Sequence, residues 1–134
     1  MQRTKSNSAE ETSRNDSIMN FEKMSDQQLW DIANPIMDNL MDASIQLDHT
    51  KHVRDFTERM KVIVTPEYLY VFACTIQPRK GISPAGCRFV LFRRPDSVAI
   101  VWKQSFTKVL GEYVAEMVLV YKNDRYLVDH VMVF

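Results

Sequence analysis

Apolar positions follow two regimes along this 134-residue chain, a helical period before Cys87 and a period of two after it. Ser25-Asp26-Gln27-Gln28 has the form of a capping box and opens an amphipathic stretch. Leu29, Ile32, Ala33, Ile36, Met37, Leu40, Met41, Ser44 and Ile45 recur there at i, i+3, i+4 spacing, with Asp31, Asn34, Asp38, Asn39 and Asp42 on the other side. One long helix is predicted, bent near Pro35 where a backbone donor is missing. Asp48-His49-Thr50 supplies a second start, with Val53, Phe56 and Met60 as the stripe of a shorter helix. Thr65-Pro66-Glu67 supplies a third: an N-cap hydroxyl, proline at N1 and an acid in the first turn. Tyr68 to Ile76 has the composition of a strand, and the positional cap signal decides for a helix.

Beyond Cys87, residues 88–94, 97–107, 112–122 and 125–134 read as strands, separated by Pro95-Asp96, Leu110-Gly111 and Asn123-Asp124. Short connections make consecutive strands antiparallel neighbours. The prediction is an α+β domain, with a bent long helix and two short ones packed on a curved four-stranded antiparallel sheet. Val98, Ile100, Trp102, Gln104 and Phe106 share one face of the second strand, and Tyr126, Val128, His130, Met132 and Phe134 one face of the fourth. These faces carry the largest side chains and are predicted to look toward the helices.

Residues 1–20 are polar without a periodic apolar face, so they read as a disordered tail before a domain over 21–134, with Met19 as an alternative start. Hydrophobic residues make up 46% and charged residues 25%, the balance of one globular domain. Seventeen Lys and Arg balance seventeen Asp and Glu, so the cationic field for nucleic-acid binding is missing and no nucleic-acid partner is expected. No apolar run spans a bilayer and the opening residues are polar, which predicts no membrane partner and a cytoplasmic protein, or an envelope one if a leader was removed. Charge is segregated: five aspartates and no cation between Asp26 and Asp48, five cations and no acid between Arg79 and Arg94. That pattern fits two solvated faces, an anion-binding rim, or a self-complementary contact. Cys74 and Cys87 lack metal or redox spacing and read as packing thiols, and the eight methionines as core filler.

The order of parts, with Phe56 to Met60, Thr65 to Leu69, a glycine at Gly81 or Gly86, Val101-Trp102-Lys103-Gln104-Ser105-Phe106 and Tyr126-Leu127-Val128, resembles the nuclear transport factor 2-like superfamily over 24–134. This cystatin-like α+β cone includes ketosteroid isomerase, scytalone dehydratase and polyketide cyclases, and the local wording is similar to small bacterial domains of unknown function. The shared features concern packing and turns and carry no catalytic signature. The resemblance implies a cone whose enzymes use an Asp, Glu or His inside, and pairing through the outer face of the sheet.

On that frame Tyr68, Phe72, Trp102, Gln104, Phe106, Tyr126 and His130 are the expected lining of a pocket for a small apolar ligand. His130 is the candidate general base, with Asp48 or His49 as its partner; the plainer reading is a core or interface histidine. Asp48, His49, His52 and Asp55 lack the further ligands a zinc site needs, so no metal and no cofactor is expected. Phosphate-loop, dinucleotide and serine-hydrolase motifs are missing. Val114, Glu116, Val118, Val120, Leu127, Val131 and Val133 are assigned to the opposite face, as the expected homodimer interface. The reading is a ligand-binding or accessory domain, with an isomerase, dehydratase or cyclase as the alternative and a filled-core interaction module as the third.

Overall fold

The computed structural model describes residues 19–76, 87–106 and 109–134, without the side chains of 72–76, 87–89 and 109. Residues 1–18 of the predicted tail, the pocket role of Phe72, both cysteines and the cations Arg79, Lys80 and Arg88 lie outside the described residues or side chains, while Asn20, the last residue assigned to the tail, caps a 3-10 turn over Phe21–Lys23.

Helix α1 spans Asp26–Gln46 and starts as its sequence specifies: Ser25 Oγ accepts from the Gln28 N–H at 3.1 Å, and Gln28 returns the bond to the Ser25 N–H at 2.9 Å. Pro35 lies inside this helix. Leu29, Ala33, Met37, Leu40 and Met41 are buried, each large side chain stabilising the fold by about 1.5–3 kcal/mol. Asn34, placed by periodicity on the polar side, instead accepts from the indole Nε1–H of buried Trp102 at 2.9 Å. Burial of an indole donor requires an acceptor, and the helix supplies it.

The second predicted helix is two. α2 spans His49–His52 and α3 spans Glu58–Ile63, because Phe56 leaves helical geometry to form a parallel bridge with Val128. Thr57 then acts as a new N-cap, its hydroxyl oxygen accepting from the Met60 N–H. α4 spans Pro66–Ile76, with Thr65 Oγ1 accepting from the Tyr68 N–H at 3.1 Å, so the cap outweighs the strand composition.

Four strands, β1 (Cys87–Arg93), β2 (Ser97–Phe106), β3 (Val109–Lys122) and β4 (Arg125–Val133), form an open antiparallel meander in chain order. The fold is therefore α+β, with the helices on one face of a curved sheet. Asn123 and Asp124 both have positive φ, at 54° and 61°, the geometry of a two-residue hairpin turn. Leu110-Gly111, read as a turn, lies within β3, where the register against β2 shifts and Gly111 adopts φ 107°.

The face predicted for β2 is the buried one, with Val98, Ile100, Trp102, Gln104 and Phe106 all turned inward. In β4 the predicted alternation fails halfway. Val128 pairs with Leu119 and His130 with Val118, so Asp129 is an extra residue in the ladder. A bulge of one residue exchanges the faces of everything after it. Tyr126 and Val128 face the helices as predicted, but from the bulge onward it is Val131 and Val133 that turn inward, opposite Met117 and Ala115. His130 and Met132 turn outward with Val118 and Glu116, and Phe134 pairs with Val114 on that side. The assignments of His130, Met132 and Phe134 to the face that looks toward the helices, and of Val131 and Val133 to the outer face, are thereby corrected.

Candidate functional site

The residues expected to line one pocket separate into several places. Trp102 packs edge-on against Trp30 with ring centroids 5.8 Å apart, inside the core. Phe106 meets Tyr113 edge-on at 5.4 Å, and Gln104 is buried near it in β2 with its amide donating to the Ser105 carbonyl. Tyr126 meets Tyr121 at 4.9 Å and Phe21 at 6.1 Å near the β3–β4 hairpin. Burial, with the neighbouring Tyr121, raises the Tyr126 phenol above its ordinary value. Tyr68 and His130 are the two that border a common cleft.

That cleft, of about 150 Å³, lies along the free edge of β4. Met60, Ile63, Val64 and Tyr68 from α3 and α4 wall it, His52 lies at its floor, and Arg59 and the consecutive residues His130, Val131 and Met132 complete it. Consecutive strand residues point to opposite faces, so a cleft touching three of them runs over the strand's edge rather than into the core. A space of this size suits about one aromatic ring.

The floor is held by hydrogen bonds within the helices. His52 is 4% exposed, and its Nδ1 lies 3.0 Å from the Leu40 carbonyl and 3.1 Å from Ser44 Oγ, while the Ser44 hydroxyl donates to the same carbonyl at 2.8 Å. A carbonyl only accepts, so the His52 proton sits on Nδ1. Burial lowers the imidazole below its ordinary value; the Leu40 bond opposes this and the neighbouring His49 adds to it. Burial thus favours the neutral imidazole of His52 at the cleft floor. Its position was visible in the sequence only as part of a weak cluster of metal ligands.

That cluster is dispersed. Asp48 is the N-cap of α2 and accepts from the Lys51 N–H, His49 Nε2 donates to the Val64 carbonyl at 2.7 Å, and Asp55 pairs with Arg54 at 2.9 Å and Arg125 at 2.5 Å. Among the described residues no three His, Cys, Asp or Glu side chains are grouped to hold a metal ion. The carboxylate partner of His130 is Glu116, with 2.7 Å between Nε2 and Oε2 on the outer face, and the pairing with Asp48 is corrected.

The bulge that creates this arrangement is itself clamped. Asp129 accepts from Thr57 Oγ1 at 2.9 Å and Arg59 Nε at 3.2 Å, and its carbonyl accepts from the same guanidinium. Burial works to raise the Asp129 carboxyl, but the bonds from Arg59 and Thr57 and the charges of Arg59 and Lys122 hold it below its ordinary value.

On the other side of the sheet, Val90, Ala99, Val101, Val114, Val118 and Val120 are half-buried, and Phe92, Met132 and Phe134 are exposed at 55%, 45% and 57%. Leu127 shares this side and is 7% exposed. No described helix is long and apolar enough to cross a membrane. Comparison of the chain with protein-family models, with curated proteins and with solved structures yields no match.

Proposed function

We propose that this chain is a small-ligand-binding or accessory domain of the nuclear transport factor 2-like kind, which homodimerises through the outer face of its sheet. The observation that carries the reading is the apolar face formed by Val101, Val118, Val120, Phe92, Met132 and Phe134, opposite the face on which the helices pack. An antiparallel sheet exposed to water on one side usually alternates to polar residues there, and a patch of this kind marks an association site. A second copy laid face to face buries on the order of 1,200–2,000 Å². Glu116 and His130 satisfy one another inside that patch, which lowers the cost of covering them. Light scattering tests the reading: the parent chain runs as a dimer and Val118→Lys as a monomer. A parent that stays monomeric at high concentration overturns it. The ligand half is tested by comparing native and denatured masses, where an extra mass released on denaturation identifies the bound molecule.

The Glu116–His130 bond favours a second reading, a small-molecule isomerase, dehydratase or cyclase in which the carboxylate orients the imidazole for proton transfer. Its test is exchange of the α-protons of cyclohexanone in D2O, accelerated by the parent chain and returned to the buffer rate by His130→Ala.

A further inference from the structure

We propose that the open part of the β4 edge is a docking groove for an extended peptide, which adds to the sheet as a fifth strand and seats one bulky apolar side chain in the cleft. This names the ligand class of the cleft. It rests on the binding reading above only insofar as the cleft is a binding site, and not on dimerisation.

Backbone direction supplies the first argument. Val114 and Phe134 exchange both backbone hydrogen bonds, at 2.6 and 2.9 Å. Antiparallel alternation then turns the N–H and C=O groups of Met132 and His130 toward β3, and those of Val131 and Val133 away from the sheet. Among the described residues nothing bonds to the outward groups of Val131 and Val133. Such a row of donors and acceptors is a template for another extended chain.

The second argument is continuity. The chain already pairs with this edge for one rung, where the Val128 N–H donates to the Asp55 carbonyl at 2.7 Å and the Thr57 N–H donates to the Val128 carbonyl at 3.0 Å. Arg59 then takes the Asp129 carbonyl and α3 departs; beyond it Val131 is half-buried and Val133 is 6% exposed, and among the described residues no chain pairs with them on this side. An added strand extends the ladder that Phe56 begins.

The third is shape. Ile63, Tyr68 and Met132 border the cleft and are 46%, 47% and 45% exposed, an apolar rim around a space of about 150 Å³. Met60, Ile63 and Tyr68 of α3 and α4 stand beside this edge, and a second copy of the domain would bring the same walls with it. The occupant is therefore slender, extended and anchored by a side chain such as Phe or Leu.

The test uses the full chain labelled with ¹⁵N and a capped peptide alternating threonine and valine around a central phenylalanine. Its control has the same sequence with alternate backbone nitrogens methylated, which keeps the side chains and removes the donors. The expected result is amide shifts concentrated at Val131 and Val133, with at least about tenfold weaker binding of the methylated peptide and of the parent peptide to Ile63→Glu. Ile63 is exposed, so its replacement leaves the core intact. Equal affinity of the two peptides, or shifts confined to the outer face at Val101 and Val118, overturns the proposal. So does the absence of any peptide shift up to about 1 mM. If indole still perturbs Tyr68 and Met60 in that last case, the small-ligand reading survives without the docking groove.

Discussion

His130 and Glu116 lie diagonally across the outer face of the sheet, 2.7 Å apart, on residues that pair with Val118 and Met132. Their side chains are 42% and 35% exposed, so water competes for both. In a single copy, at concentrations too low for dimerisation, a double-mutant cycle with His130→Ala and Glu116→Gln is expected to give a coupling of about 0–1 kcal/mol in urea unfolding. A coupling of several kcal/mol would show that the pair is desolvated in solution, as it would be under a covering partner.

The Asp129 bulge sets which side chains of β4 reach the core. Deleting Asp129 removes the extra residue and leaves an unbroken strand in which His130 still turns outward after Val128 and Val131 and Val133 still turn inward. We expect the chain to keep its dispersed amide spectrum and to lose about 0.5–3 kcal/mol with the clamp to Thr57 and Arg59. Asp129→Asn keeps the bulge and weakens only its clamp to Thr57 and Arg59. It is expected to fold and to melt at or above the deletion variant, and a deletion that loses its amide dispersion would contradict this reading of the register.

Asn34 anchors α1 to the sheet through the Trp102 indole. Asn34→Ala leaves a buried donor without its acceptor and is expected to cost about 1–3 kcal/mol. Urea titration followed by tryptophan fluorescence reads both the stability and the altered Trp102 environment.

His52 makes stability depend on pH in a definite direction. Its folded value is lowered by burial, so below the ordinary value of 6.5 the unfolded chain binds a proton that the folded chain does not. This contribution is complete above that value and is lost as pH falls toward the folded value, at up to about 1.4 kcal/mol per unit. Urea midpoints measured from about pH 7.5 to about pH 5.5 should therefore decrease, and the His52 ring resonances should stay neutral below 6.5. A His52 that titrates at or above 6.5 would show that the floor of the cleft is wet.

The sequence by itself determined the element types, because their signals are local. The Ser25 capping box, the Thr65-Pro66-Glu67 start and the Asn123-Asp124 turn each satisfy backbone groups within a few residues of themselves. The inward face of β2 was equally legible, since an uninterrupted strand keeps its period. Tertiary structure decided where those periods break. Phe56 abandons a helix because the edge of β4 offers it a bridge, and Asp129 bulges where Thr57 and Arg59 hold it. Each of these choices depends on partners some 70 positions away in the chain, with separations of 72 for Thr57 and 70 for Arg59. Neither residue carries a local mark of it. The candidate site inherits that dependence: one extra residue in β4 turns His130 to the outer face, and the cleft it borders with Tyr68 runs along the strand edge instead of inside the sheet.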